Sequence, residues 1–154
     1  RVGAMIASEA RLAEAEKFLD TVTICPNQIG QRAALWGMQN LGDWLAGERL
    51  EILDRRAAIT DEFPVMAAQG WTLLGVGAYF AYVQHPFAMP SNELAQTIVR
   101  DASALMLPGT MFMPAEMAQG QRQMRIAFAN IDRAGIAMLF NRLSKLSHPL
   151  APAP

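Results

Sequence analysis

Between Glu62 and Glu93 the chain carries no Asp, Glu, Lys or Arg. Within that gap, VMAAQGWTLLGVGAYFAYV (65–83) is 19 residues long, about the length a membrane-spanning helix requires. Two folds compete for such a run. Gly70, Gly75 and Gly77 interrupt it, and Gly-Val-Gly-Ala reads as a turn. No basic cluster flanks either end, as it would for a span. The run is therefore expected to form two short buried strands, 71–76 and 79–84, and not to cross a membrane.

The remaining elements follow from periodicity and punctuation. Residues 1–7 read as a short buried strand. Ser8 is an N-cap candidate for a helix over 9–22, with Glu9 in its first turn and Leu12, Ala15, Leu19 and Val22 along one face. Pro26 breaks this pattern. Helical stretches follow from Ile29 to Ala46 and from Glu48 to Phe63. Ile52 and Ile59 extend the spacing set by Leu45, so the two can be one long helix crossing Gly47. Glu51 and Arg55 are placed to pair at i,i+4, and Pro64 is a stop or kink.

Beyond the strand pair, 92–102 reads as a helix with Leu94, Ile98 and Ala102 inward. ALMLPGTMF supplies a short strand ending at Pro108-Gly109, and AEMAQGQ a polar, mobile loop. A strand over 123–129 precedes a helix over 131–146 with Ile131, Met138 and Leu139 inward. The tail HPLAPAP (148–154) is expected to be disordered. The predicted class is α+β: a small antiparallel or mixed sheet covered by helices, with one long helix. Residues 1–7 fit that sheet poorly and suit another domain's sheet better.

Composition excludes several kinds of function. Of the 154 residues, 52% are hydrophobic, enough for a packed core. A net charge of −1 with both signs mixed supplies no basic stripe for nucleic acid. The single Cys25 leaves no internal disulfide and fits a reducing compartment, so a cytoplasmic protein is expected. RVGAMIAS has no basic segment ahead of a hydrophobic stretch, so no signal peptide is expected. His85 and His148 each precede a proline, and neither belongs to a metal-ligand spacing. No Walker loop, G-x-S-x-G or G-x-G-x-x-G is present.

The residue that calls for chemistry is Arg125. In QRQMRIAFANI (121–131), Met124, Ile126 and Phe128 alternate with Arg125, Ala127 and Ala129. As a strand, three large apolar side chains face one way, while a guanidinium and two methyl groups face the other. A charge in such a place must meet an anion or reach water. One reading is a salt bridge to an acid such as Asp101 or Glu116, or a wet outer face. The other is an anion site, because a guanidinium fork matches a carboxylate and the two alanines leave space beside it. Arg1, followed by Val-Gly, raises the same question at the other end of the chain.

Five segments, taken in order, resemble the C-terminal portion of a class I/II aminotransferase, a fold-type I enzyme that uses pyridoxal 5′-phosphate. RVGAMIAS resembles the segment following the cofactor-binding lysine, and ICPNQIGQRAA the loop and helix start that approach the dimer partner. GAYFAYV is similar to a strand of the small domain, LMLPGTMF to its PGxxFG element and QMRIAFAN to its RISFA-like strand. Met113 stands where the family often has glycine. The resemblance covers Arg1 to about Leu146.

What it implies is specific. Arg125 would grip the substrate α-carboxylate, Arg1 would contact the cofactor phosphate, and Tyr79 would be an aromatic residue near the substrate. The amino group of an L-amino acid would pass to a 2-oxo acid, with the cofactor acting as electron sink at the α-carbon. The catalytic lysine would lie upstream of Arg1. Lys17 and Lys145 read as solvated surface residues, so no catalytic residue is expected within the chain, which by itself is expected to be inactive. Residues 1–24 would be the end of the large cofactor-binding domain, 25–147 the small domain with its connecting helix, and the assembly a homodimer. Two alternatives stay open: a non-catalytic α+β binding or oligomerisation module, and another pyridoxal-phosphate reaction, such as a lyase or decarboxylase, on the same fold.

Overall fold

The structure, a computed structural model, describes residues 2–152. The chain divides into two compact units, Arg1–Glu48 and Arg49–Pro154.

In the first unit, residues 2–7 form no strand and are largely exposed. This corrects the expected buried strand; no described strand pairs with the segment, and a lone strand leaves its backbone groups to water. Helix α1 (Glu9–Val22) starts where the cap predicts: the Ser8 carbonyl accepts from the Arg11 and Leu12 amides, both at 3.0 Å. It ends at Thr23, before Ile24 turns to a φ of 56°. Helix α2 (Gln28–Asn40) is capped by Asn27, whose Oδ1 accepts from the Gly30 amide at 2.8 Å. Neither helix buries a residue, although both are amphipathic.

The helix crosses Gly47, as the spacing of Leu45, Ile52 and Ile59 allows, but the stretch expected from Ile29 to Ala46 is interrupted at Leu41. Leu41 leaves helical geometry (φ −110°, ψ 24°), and α3 then runs unbroken from Gly42 to Glu62 through Gly47. A glycine inside a helix costs about 1 kcal/mol relative to Ala, which a helix of this length can absorb. The Glu51–Arg55 pair forms at 3.8 Å. Pro64 stops α3 but opens a short helix, α4 (Pro64–Ala67), at the position where proline lacks no needed donor.

The second unit holds the sheet. The uncharged run forms a hairpin, β1 (Thr72–Gly77) and β2 (Phe80–Gln84), turning through Ala78 at φ 47°. This corrects the expected pair of buried strands: β1 is an edge strand with no buried residue, and β2 buries only Ala81 and Val83. Among the described residues no helix is long and apolar enough to cross a membrane. Helix α5 (Ser91–Ala102) buries Leu94, Ile98 and Ala102, as the spacing requires. Strands β3 (Leu107–Pro108) and β4 (Gln123–Ala127) complete an antiparallel sheet of order β1-β2-β4-β3. Helix α6 (Arg133–Leu143) is capped by Asp132, whose Oδ1 accepts from the Gly135 amide at 2.8 Å.

One face of this sheet carries Ala81, Val83, Met124 and Ile126 into a core with Ile59, Leu94, Ile98 and Phe140, contributed by the helices. On α6 the inward residues are Ile136, Phe140 and Leu143; Met138, expected inward, is exposed. The segment after Pro114 is not a plain loop. A 3-10 turn, Ala118–Arg122, packs on another at Gly109–Met111, and the buried Ser91 hydroxyl donates to the Gly120 carbonyl at 2.8 Å. Gly109 is required here, since a Cβ on it would lie 2.8 Å from that same carbonyl oxygen. The expected disordered tail is in part a strap. The Ala88 amide donates to Pro149 and the Ala151 amide to Pro86, each at 2.8 Å. Two hydrogen bonds and a bridge between Phe87 and Leu150 hold it; residues 153 and 154 lie outside the described residues.

Candidate active site

Arg125 is the centre of the sheet's second face. Register pairs it with Tyr82 on one side and Leu107 on the other, so the three side chains project together. Phe80, Gln84, Gln123 and Ala127 share that face. Tyr82 and Arg125 are half-buried on it, and Phe80 and Ala127 are exposed. The strand ends at Ala127, and the Ala129 carbonyl accepts from Arg55 Nη1 of α3, so Ala129 has left the strand register.

Two aromatic rings lie against the guanidinium. Its Cζ is 4.2 Å from the Phe80 centroid and 4.1 Å from that of Phe112. Phe80 is the diagonal cross-strand neighbour, and it leans over because Ala127, directly opposite it, is only a methyl group. Phe112 follows the 3-10 turn that Gly109 permits. Arg125 is half-buried, and among the described residues no carboxylate lies within ion-pair distance of it. Asp101 faces His148 instead, at 3.9 Å. The Arg125 Nε is enclosed and has no hydrogen-bond partner among the described residues, and the same holds for the Tyr82 hydroxyl and Gln123 Oε1. Burial pushes the Tyr82 phenol up from its ordinary pKa, against the opposing pull of the Arg125 charge. Among the described residues no hydrogen bond or ion pair engages the Arg125 guanidinium, whose Nη donors suit an anion.

The other candidates are placed as follows. Tyr79 stands exposed at the hairpin turn, where its carbonyl accepts from the Phe128 amide at 3.0 Å; the rings over Arg125 are Phe80 and Phe112. Arg1 lies outside the described residues. Lys17 is exposed and held by Glu14 at 2.7 Å within α1. Lys145 is exposed just after α6, the helix packed into the opposite face of the sheet. His85 is buried between Trp71 and Phe87, and its Nε2 donates to the Gln121 carbonyl at 3.2 Å. Burial lowers its pKa to about 4. Among the described residues no cluster of His, Cys, Asp or Glu could hold a metal ion.

Phe80, Phe112 and Tyr82 were not singled out from sequence. Phe80 and Tyr82 had a signal, since they alternate on β2 opposite Ala127 and Arg125. Phe112 had none, because only the packing at Gly109 brings it back over the strand.

A family model described as aminotransferase class I and II matches residues 1–143. The chain belongs to the class I and II aminotransferases. No curated protein matches it. Among solved structures, BacF of Bacillus subtilis in its substrate-bound form superposes with a TM-score of 0.72 at 17% identity, covering 97% of this chain and 37% of that one. LysN of Thermus thermophilus, an α-aminoadipate aminotransferase complexed with N-(5′-phosphopyridoxyl)-L-leucine, gives 0.75 at 16% identity, covering 91% and 36%. YbdL of Escherichia coli, reported with a methionine aminotransferase function, gives 0.66 at 18% identity, covering 92% and 36%. At these identities the likeness is one of fold. The chain spans little more than a third of the structures it matches. The α+β class, with its small antiparallel sheet and long helices, is that of this family.

Proposed function

We propose that this chain is the substrate-gripping part of a pyridoxal-phosphate-dependent aminotransferase that moves an amino group between an L-amino acid and a 2-oxo acid. The observation that carries this reading is Arg125: half-buried, in contact with two rings and without an acid partner among the described residues. A guanidinium in that state is matched to a carboxylate that arrives with the substrate. The donor set suits the amino-acid end of a substrate–cofactor pair. LysN, which shares the fold, was solved with a phosphopyridoxyl amino acid. When bound, the cofactor supplies an electron sink for bonds at the α-carbon.

In this reading Arg125 takes the α-carboxylate on its in-plane donors. That fixes one substituent of Cα, which orients the Cα–H bond for proton removal. Tyr79 stands near the substrate side chain, and Arg1 holds the cofactor phosphate. The lysine that binds the cofactor lies ahead of Arg1. Residues 1–24 are the end of the large domain, 25–147 the small domain with its connecting helix, and the complete protein is a cytoplasmic homodimer.

Two experiments test the reading. In the complete enzyme, Arg125→Leu should lower kcat/KM for amino acids by about a hundred- to a thousandfold, as expected for loss of one partner of a charged pair; an unchanged value removes the assignment. In the 154-residue chain, borohydride reduction with pyridoxal phosphate should give only scattered, substoichiometric lysine labelling. A one-to-one adduct at Lys17 or Lys145 would overturn the placement of the lysine and the inactivity of the chain alone.

A further inference from the structure

Phe80 and Phe112 are large apolar residues that stay out of the hydrophobic core, at 38% and 41% exposure. They come from different elements, β2 and the turn after Gly109, and converge on one cation. We propose that the two rings are positioning residues that clamp the Arg125 guanidinium in one plane, so that a carboxylate meets it edge-on. This inference rests on reading Arg125 as a carboxylate site.

The physical case has three parts. All five N–H donors of a guanidinium lie in its plane, and its two faces donate nothing. Rings whose centroids lie 4.2 and 4.1 Å from Cζ take no hydrogen bond from the guanidinium, so with Nε enclosed the Nη donors remain for a ligand. The attraction between cation and ring also strengthens when water is excluded, and the enclosed Nε shows that it is excluded here. An unclamped arginine on a strand samples many rotamers, and ordering it would oppose binding. With the clamp, the ordering is complete before the ligand arrives. The arrangement also accounts for Ala127. A longer side chain opposite Phe80 would stop that ring from leaning over Arg125. Phe112 further ties the grip to the Gly109–Gly120 contact, so a displacement of that turn would loosen the guanidinium.

Nitrogen-15 NMR of the Arg125 side chain in the 154-residue chain reads the clamp directly. Hindered rotation about Nε–Cζ gives separate Nη signals, whereas free rotation averages them. Separate signals are expected in the unaltered chain and in Phe112→Tyr, which keeps a ring. Averaged signals are expected in Phe80→Leu and Phe112→Leu, each with about tenfold weaker binding of acetate as the carboxylate probe. Both residues are part-exposed, so these variants should retain the amide signals of Met124 and Ile126, which report a folded core. Averaged signals in the unaltered chain, or Leu variants with separate signals and unchanged acetate binding, would overturn the clamp. Arg125→Leu separates the two ideas. If it binds acetate as well as the unaltered chain does, the carboxylate reading fails, while the rotation signal still decides the clamp.

Discussion

Successive residues of β4 project to opposite faces of the sheet, and the two faces obey different rules. Met124 and Ile126 are sealed against Leu94, Ile98 and Phe140, and volume dictates what can stand there. Arg125 and Ala127, one residue away in each case, look onto a face where three polar atoms lack partners. Packing explains nothing about a half-buried cation beside a methyl group. Where a strand keeps a costly group on one face and an ordinary core on the other, the costly face is the one to interrogate for function.

The comparison breaks first on stability. Ile126→Ala should cost about 3 kcal/mol through lost burial and a residual cavity, read as a lower denaturation midpoint in urea. Arg125→Leu should change stability by no more than about 1 kcal/mol, because Leu replaces part of the lost contact with the two rings by apolar contact. If the two variants lost similar stability, Arg125 would belong to the scaffold.

Acid titration sharpens it next. His85 belongs to the core side and is buried neutral, with its pKa lowered to about 4. The unfolded chain takes up that proton near pH 6.5, the folded chain only near 4, so the fold loses stability as pH falls across this window. About 2 kcal/mol should disappear between pH 6.5 and 4, and His85→Phe should flatten that limb of the curve. An unaltered limb in His85→Phe would place the titration elsewhere.

The smallest effect concerns the contrast between two arginines. Arg133 is partly exposed, at 42%, and holds Asp54 and Asp61, each at 2.9 Å. Arg133→Met should barely move the denaturation midpoint, and the difference should vanish at high salt, as exposed ion pairs do. A large, salt-resistant loss would show that paired arginines carry this fold, which would weaken the distinction drawn for the unpaired one.

Much of this was legible in the sequence where the signal is local. Ser8 and the glycine-rich step at Gly77 mark element ends through backbone requirements, and α1, α5 and the hairpin lie within a residue or two of where the sequence puts them. The alternation 124–128 identifies the two faces of β4 and with them Arg125. Signals that depend on distant packing are not local and escape such a reading. The helix breaks at Leu41 because a single mid-helix glycine does not decide between neighbouring sites. The inward face of α6 depends on where its first turn docks. The tail becomes ordered only through the backbone of 86–88. The apolar composition of residues 2–7 suggests burial, but it carries no information about whether a partner strand stands beside them. In the site, Arg125 announces itself by being out of pattern, whereas Phe112 is a loop residue whose place is set by contacts far along the chain.

The most direct test of the central claim compares substrates that do and do not carry the carboxylate. In the complete enzyme, kcat/KM for an L-amino acid is divided by that for the matching primary amine, with and without Arg125→Leu. The account predicts that the substitution shrinks this ratio at least about a hundredfold by slowing the amino acid and sparing the amine. A ratio that the substitution leaves unchanged would contradict it.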